Sequence, residues 1–160
     1  MQKYFQMVPH TADFQVRVFA KTKQELFINA LKAMTFSRVD KVDLNVVYIQ
    51  DGEKKTFDSQ KTESWSCENL YKKRSFDISS TDIDALLVDF LSEALTLSDI
   101  YSELYLDALV YELTDTGIRG SFCGIEVSRF NVVEIKAVTY HGLRVHQEGD
   151  LWQTDIVFDI

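Results

Sequence analysis

At 160 residues, with 46% hydrophobic and 26% charged side chains, the chain has the balance of one globular domain with a real core. A single Pro and six Gly exclude collagenous and Pro-rich disordered classes. A net charge of −8 excludes the broad Lys/Arg face that grips nucleic acid by displacing counterions, although an acidic protein can still serve RNA through a basic partner or bind cations.

Two cysteines, Cys67 and Cys123, make no Cys-x-x-Cys pair and read as free thiols rather than a disulfide or a metal site. The N-terminus MQKYFQMVPH has no apolar signal core, and no run approaches the roughly 18 apolar residues of a membrane span. The expected setting is soluble, reducing and cytoplasmic.

Lys3 to Val8 is a short β-prone run stopped by Pro9, and His10-Thr11-Ala12-Asp13 is a polar corner. From Phe14 to Phe19, apolar residues at 14, 16 and 18 alternate with polar ones at 13, 15 and 17, which predicts a half-buried strand with Asp13 on its polar face. Thr22-Lys23-Gln24-Glu25 fits a capping box, and Leu26, Phe27, Ala30, Leu31 and Met34 then line one side of a core-facing helix. Val42 to Gln50 reads as a strand ended by the Asp51-Gly52 turn. The polar stretch 51–75 reads as a loop or irregular insertion within a single 1–160 domain, with Thr56-Phe57 the candidate start of a return strand and Lys72-Lys73-Arg74 a solvated basic run.

Phe76 to Ser79 is strand-like. Ser80-Thr81-Asp82 offers helix caps, and Ile83, Leu86, Leu87, Phe90, Leu91, Ala94 and Leu95 recur at helical spacing. Asp82, Asp84 and Asp89 lie toward the start of that helix, where they read as surface charges rather than ligands. Leu104 to Leu113 fits a strand, Gly117 to Val127 a turn and bent strand, and Val132 to Tyr140 a further strand. Gln147 to Asp150 is a hairpin turn before a last strand, Leu151 to Ile160. The order predicts an α+β fold: two helices packed on one face of a mostly antiparallel sheet.

His10, His141 and His146 lack the spacing of a His-Glu-x-x-His zinc site, and no nucleotide-binding glycine loop or nucleophile elbow occurs. With no nucleophile–base set in view, a free-standing hydrolase is disfavoured. The remaining possibility is rich in oxygen. On the last strand Asp155, Val157 and Asp159 share a face, and Asp13 occupies the equivalent face of the early strand. Were the two strands neighbours, Asp13, Asp159 and the main-chain carboxylate of Ile160 would converge, and like charges that close require a cation. Such donors suit a hard ion, Ca²⁺, Mg²⁺ or Mn²⁺; solvated strand-end acids are the competing reading.

Three separated stretches, His10-Thr11-Ala12-Asp13, Ile135 to Leu143 (IKAVTYHGL) and Val157-Phe158-Asp159-Ile160, resemble the archease family in order and position. Asp84 to Leu91 (DALLVDFL) is similar to that family's second helix, so the likeness spans nearly everything outside 51–75. Ser92 and Ala94, where the family motif has Asn and Leu, and Phe130, where many members have His, depart from it.

The resemblance implies a non-catalytic partner of an RtcB-type RNA ligase, an enzyme that joins a 3′-phosphate or 2′,3′-cyclic phosphate end to a 5′-hydroxyl through a guanylylated histidine, using GTP and Mn²⁺. It implies promotion of that guanylylation and of multiple turnover in tRNA splicing or RNA repair. Its metal site falls on Asp13, Asp159 and the Ile160 carboxylate, with Ca²⁺ the leading ion; Lys136 falls on a residue needed for ligase activation. His10 and His141 belong to the motifs and would orient a carboxylate ligand. Little direct nucleic-acid binding and no membrane association are expected. A chaperone-like or scaffold protein for RNA-processing partners is the rival reading.

Overall fold

The computed structural model describes residues 5–8, 13–38, 45–50, 52–58, 65–127 and 134–160. In chain order the first half comprises β1 (Phe5–Val8), β2 (Phe14–Ala20), α1 (Lys23–Arg38), β3 (Asn45–Gln50), β4 (Glu53–Asp58) and β5 (Lys72–Ser79). The second half comprises α2 (Ile83–Tyr101), β6 (Glu103–Leu113), β7 (Gly117–Val127), β8 (Ala137–Val138), β9 (His146–Glu148) and β10 (Leu151–Asp159).

Local sequence accounts for both helix starts. The Thr22 hydroxyl accepts from the Glu25 N–H at 3.1 Å, and the extended Asp82 accepts from the Ala85 N–H at 2.8 Å, so each cap satisfies a donor the helix leaves open. Helix α2 stops where Ser102 turns left-handed (φ 54°) and returns its N–H to the Ser98 carbonyl.

The fold is α+β with antiparallel strands, as expected, but the strands form two sheets rather than one. The first runs β1-β2-β10-β8, with β9 also on β10; the second runs β4-β3-β7-β5, with β6 also on β7. Both sheets lend a face to the same core, and α1 packs on β2 of one and β6 of the other. Val16, Val18, Ile156 and Phe158 meet Leu26, Phe27, Leu87 and Phe90 from the first sheet's side, and Phe76, Tyr105 and Phe122 from the second's. Ring centroids of Phe27 and Phe122 stand 5.4 and 5.2 Å from Phe90, a span of aromatic contacts that couples α1, α2 and β7.

Four sequence expectations change. The 51–75 stretch is not loop throughout: β4 occupies 53–58 and β5 begins at Lys72, four residues before the expected Phe76. The expected strand at 132–140 pairs only at Ala137–Val138. There the Lys136 and Thr139 N–H groups reach the Asp159 and Val157 carbonyls, and beyond them Tyr140 turns aside onto α2. Residues 132 and 133 lie outside the described residues, as do 9–12 and therefore His10.

The basic run is also not simply solvated. Arg74 forks onto Glu103 at 2.6 and 3.0 Å, Lys72 lies 3.9 Å from Glu126, and Lys73 donates to the Cys67 carbonyl.

Finally, Cys67 and Cys123 form a disulfide with a Cα separation of 5.2 Å, which overturns the free-thiol reading. They are 56 positions apart, and only the fold brings them together. Residues around Cys67 close over the side of β6 and β7 opposite the helices. There Leu70, Leu104, Leu106, Ile125 and Val127 make a second, smaller core. No described helix is long and apolar enough to cross a membrane.

Candidate functional site

Strands β2 and β10 are neighbours, the condition on which the carboxylate reading depends. Their register sets Asp155 against Arg17, Val157 against Gln15 and Phe158 against Phe14. Because side chains alternate, Phe14, Val16, Ile156 and Phe158 face the core while Gln15, Arg17 and Asp155 face outward, and Val157 on their side is itself covered. The ladder ends at the Phe14–Phe158 pair: Asp13 directly precedes β2, and Asp159 is the last residue of β10. Asp13 is half-buried, and Asp159 and Ile160 are exposed.

A third segment closes on this end from the other side of β10. Ala137 stands opposite Asp159, and the Lys136 N–H donates to the Asp159 carbonyl at 2.7 Å, with the Lys136 side chain exposed. The fold thus gathers Asp13, Asp159, Ile160 and Lys136 at one sheet end.

His141 is placed differently. The Leu143 N–H donates to the Tyr140 carbonyl at 3.2 Å, closing a turn in which Gly142 has φ +67°, a conformation that favours glycine at the third position. His141 occupies the exposed tip of that turn.

Three residues that the sequence reading left as helix surface or did not single out fix this turn. Asp89 accepts from the Tyr140 hydroxyl at 2.9 Å and from the Ser80 hydroxyl, and Asp84 accepts from the Val145 N–H at 2.8 Å. The hydrogen bond to Asp89, followed by desolvation, raises the Tyr140 pKa above its ordinary value. The acids of α2 therefore act as tethers across the 140–145 loop. A helical wheel shows Asp84 and Asp89 off the apolar stripe, but not what they meet.

The carboxylates suit a hard cation by chemistry, since both are oxygen donors at the end of a rigid ladder. Among the described residues, no group of three or more His, Cys, Asp or Glu side chains is arranged to hold a metal ion.

With this arrangement in view, the chain was compared with known proteins. The model of the archease protein family (MTH1598/TM1083) matches residues 5–160. The chain belongs to the archease family. Among archeases it is 28% identical to the protein of Methanosarcina barkeri, over 99% of this chain and 97% of that one. It is 30% identical to the Thermococcus gammatolerans archease, over 94% of each. The solution structure of protein 1598 of Methanobacterium thermoautotrophicum superposes with a TM-score of 0.67 at 23% identity, covering 99% of this chain and all of that one. An archease of Thermotoga maritima, described as a possible chaperone, superposes with a TM-score of 0.60 at 15% identity and covers all of this chain and 98% of that one. The two structures share the fold. The archease match spans Asp13, Lys136, His141 and Asp159 alike.

Proposed function

We propose that this archease-family protein activates an RtcB-type RNA ligase, promoting its GTP-dependent guanylylation and repeated turnover in tRNA splicing or RNA repair. What supports the reading is family membership together with the placement of Asp13 just before β2, Asp159 at the end of β10 and Lys136 next to it across that sheet end. Asp13, Asp159 and the Ile160 carboxylate would hold a divalent ion, Ca²⁺ or else Mg²⁺ or Mn²⁺, which when bound supplies concentrated positive charge. The chain's own part is to hold the two carboxylates in register and to present Lys136 beside them to the ligase. A net charge of −8 suits brief docking near a basic catalytic cleft. Nothing in this reading requires chemistry by the protein itself.

The test adds the protein to its cognate ligase with GTP and measures guanylylated ligase and RNA joined per enzyme. Wild type is expected to raise both, Asp13→Ala and Asp159→Ala to abolish the gain, and Lys136→Ala to reduce it, with chelation mimicking the aspartate variants. A wild-type protein that changes neither quantity would sink the proposal. The chaperone-like alternative, favoured by the description of the Thermotoga relative, instead predicts a gain indifferent to those aspartates and to chelator.

A further inference from the structure

The outward face of β10 carries a second polar feature beyond the carboxylates. Gly142, Arg144, His146, Gln147 and Asp155 line a cleft of about 410 Å³. Asp155 and Asp159 point to the same side of β10 and are four residues apart, so the cleft lies roughly 13 Å along the strand from the carboxylate end.

What distinguishes the cleft is Arg144. Of the five described arginines, Arg17 is bound by Asp155, Arg38 by Asp99, Arg74 by Glu103 and Arg119 by Glu112. The Arg144 guanidinium has no partner among the described residues. Nor is it on a loose loop. Leu143 before it is buried, the Val145 N–H after it is held by Asp84, and Tyr140 is held by Asp89. A guanidinium presented on a fixed backbone loses little freedom on binding.

The one carboxylate in the wall does not oppose an anion at full strength. Arg17 takes both Asp155 oxygens, at 2.8 and 3.1 Å, and Gln15 approaches at 3.4 Å. Beside Arg144, the His146 Nδ1 lies 2.9 Å from the Arg144 carbonyl, which aims Nε2 away from the backbone; its neighbour there is Glu148 at 3.3 Å, which is exposed and screened by solvent. The cleft therefore offers the Arg144 guanidinium, a planar five-donor fork, beside space for one small oxyanion.

We infer that this cleft is a binding subsite for a phosphoryl group. A tetrahedral phosphate matches the guanidinium fork in two-point hydrogen bonding. The inference stands independently of the ligase reading, since binding is measured on this protein alone.

The experiment follows backbone amide shifts of the full chain during separate titrations with inorganic phosphate and with GTP, at constant ionic strength held by chloride. Saturable shifts are expected at Gly142, Arg144, His146 and Gln147, with millimolar affinity for phosphate. Arg144→Ala should weaken binding about tenfold or more, Arg144→Lys should keep part of it, and Arg119→Ala, on the other sheet, should leave it unchanged. Equal affinities support a site for phosphate alone, and a clear preference for GTP supports a site for a nucleotide's phosphates. Absence of saturable shifts, or shifts that survive Arg144→Ala with its fold intact by circular dichroism, would overturn the assignment.

Discussion

The two sheets treat charge in opposite ways. In the second sheet it is turned inward and consumed. Glu103, 1% exposed, accepts from Arg74 and from the Tyr105 hydroxyl at 2.8 Å, and Arg74 in turn lies 3.6 Å over the Tyr101 ring. On the helices packed against it, Arg38 of α1, also buried, spans from Ser98 to Asp99 of α2, with burial lowering its pKa and Asp99 opposing that. In the first sheet, Lys136, Arg144 and Asp159 are presented outward, and no described group engages their side chains. The lesson is one of degree: the second sheet buries Glu103 to specify packing, while the first, beside its Arg17–Asp155 pair, leaves three charges available for something outside the chain. Buried, satisfied polar networks are costly to break, whereas exposed charges are cheap to alter.

That contrast is testable from its strong side first. Reducing the Cys67–Cys123 bridge frees a 56-residue loop and should cost about 4 kcal/mol of unfolding free energy, read as a lower urea midpoint in dithiothreitol. A midpoint that does not move would mean the second core holds without its bridge. Next, Glu103→Gln leaves Arg74 without its counter-charge and should cost about 3 kcal/mol in the same assay. Asp159→Asn should shift stability by less than about 0.5 kcal/mol, and a loss as large as that at Glu103 would erase the contrast.

A pH titration sharpens the same comparison. Burial first, and the Glu103 hydrogen bond second, raise the Tyr105 pKa well above the ordinary value of 10.0. A hydroxyl whose folded pKa exceeds its unfolded one adds stability in full below the unfolded value, and loses it as pH climbs toward the folded one. Stability should therefore decline above pH 10 or so. Tyr105→Phe should flatten that decline, and Tyr140→Phe, at an exposed site, should change it far less. The measurement is the urea midpoint from pH 8 upward.

How much of this was legible in the residues differs by sheet for the same reason. The first sheet's key strands alternate cleanly, so Phe14 to Phe19 and Leu151 to Ile160 announced both their faces. Thr22 and Asp82 announced the helices. In the second sheet the inward residues of β5 include Arg74, whose partner Glu103 lies 29 positions away, so a charged run concealed a strand. The Cys67–Cys123 pairing was hidden in the same manner. At the end of the strand expected at 132–140, Tyr140 likewise meets a distant partner, Asp89, that local pattern does not show. Local pattern reports local periodicity; partners brought together by tertiary folding leave no trace in it.

The alternation along β10 also acts as a reading frame. Each residue there has one of two destinations, and the core holds Ile156 and Phe158 to theirs. Insertion or deletion of a single residue between Leu151 and Phe158 would exchange the destinations on one side of the change, sending a carboxylate inward or a phenyl ring outward. The Gly149-Asp150 turn, with Gly149 at φ +62° and both residues exposed, is under no such constraint. Length variation in this hairpin is therefore admissible at the turn and in pairs of residues, and anywhere else a single-residue slip breaks the match between strand and core.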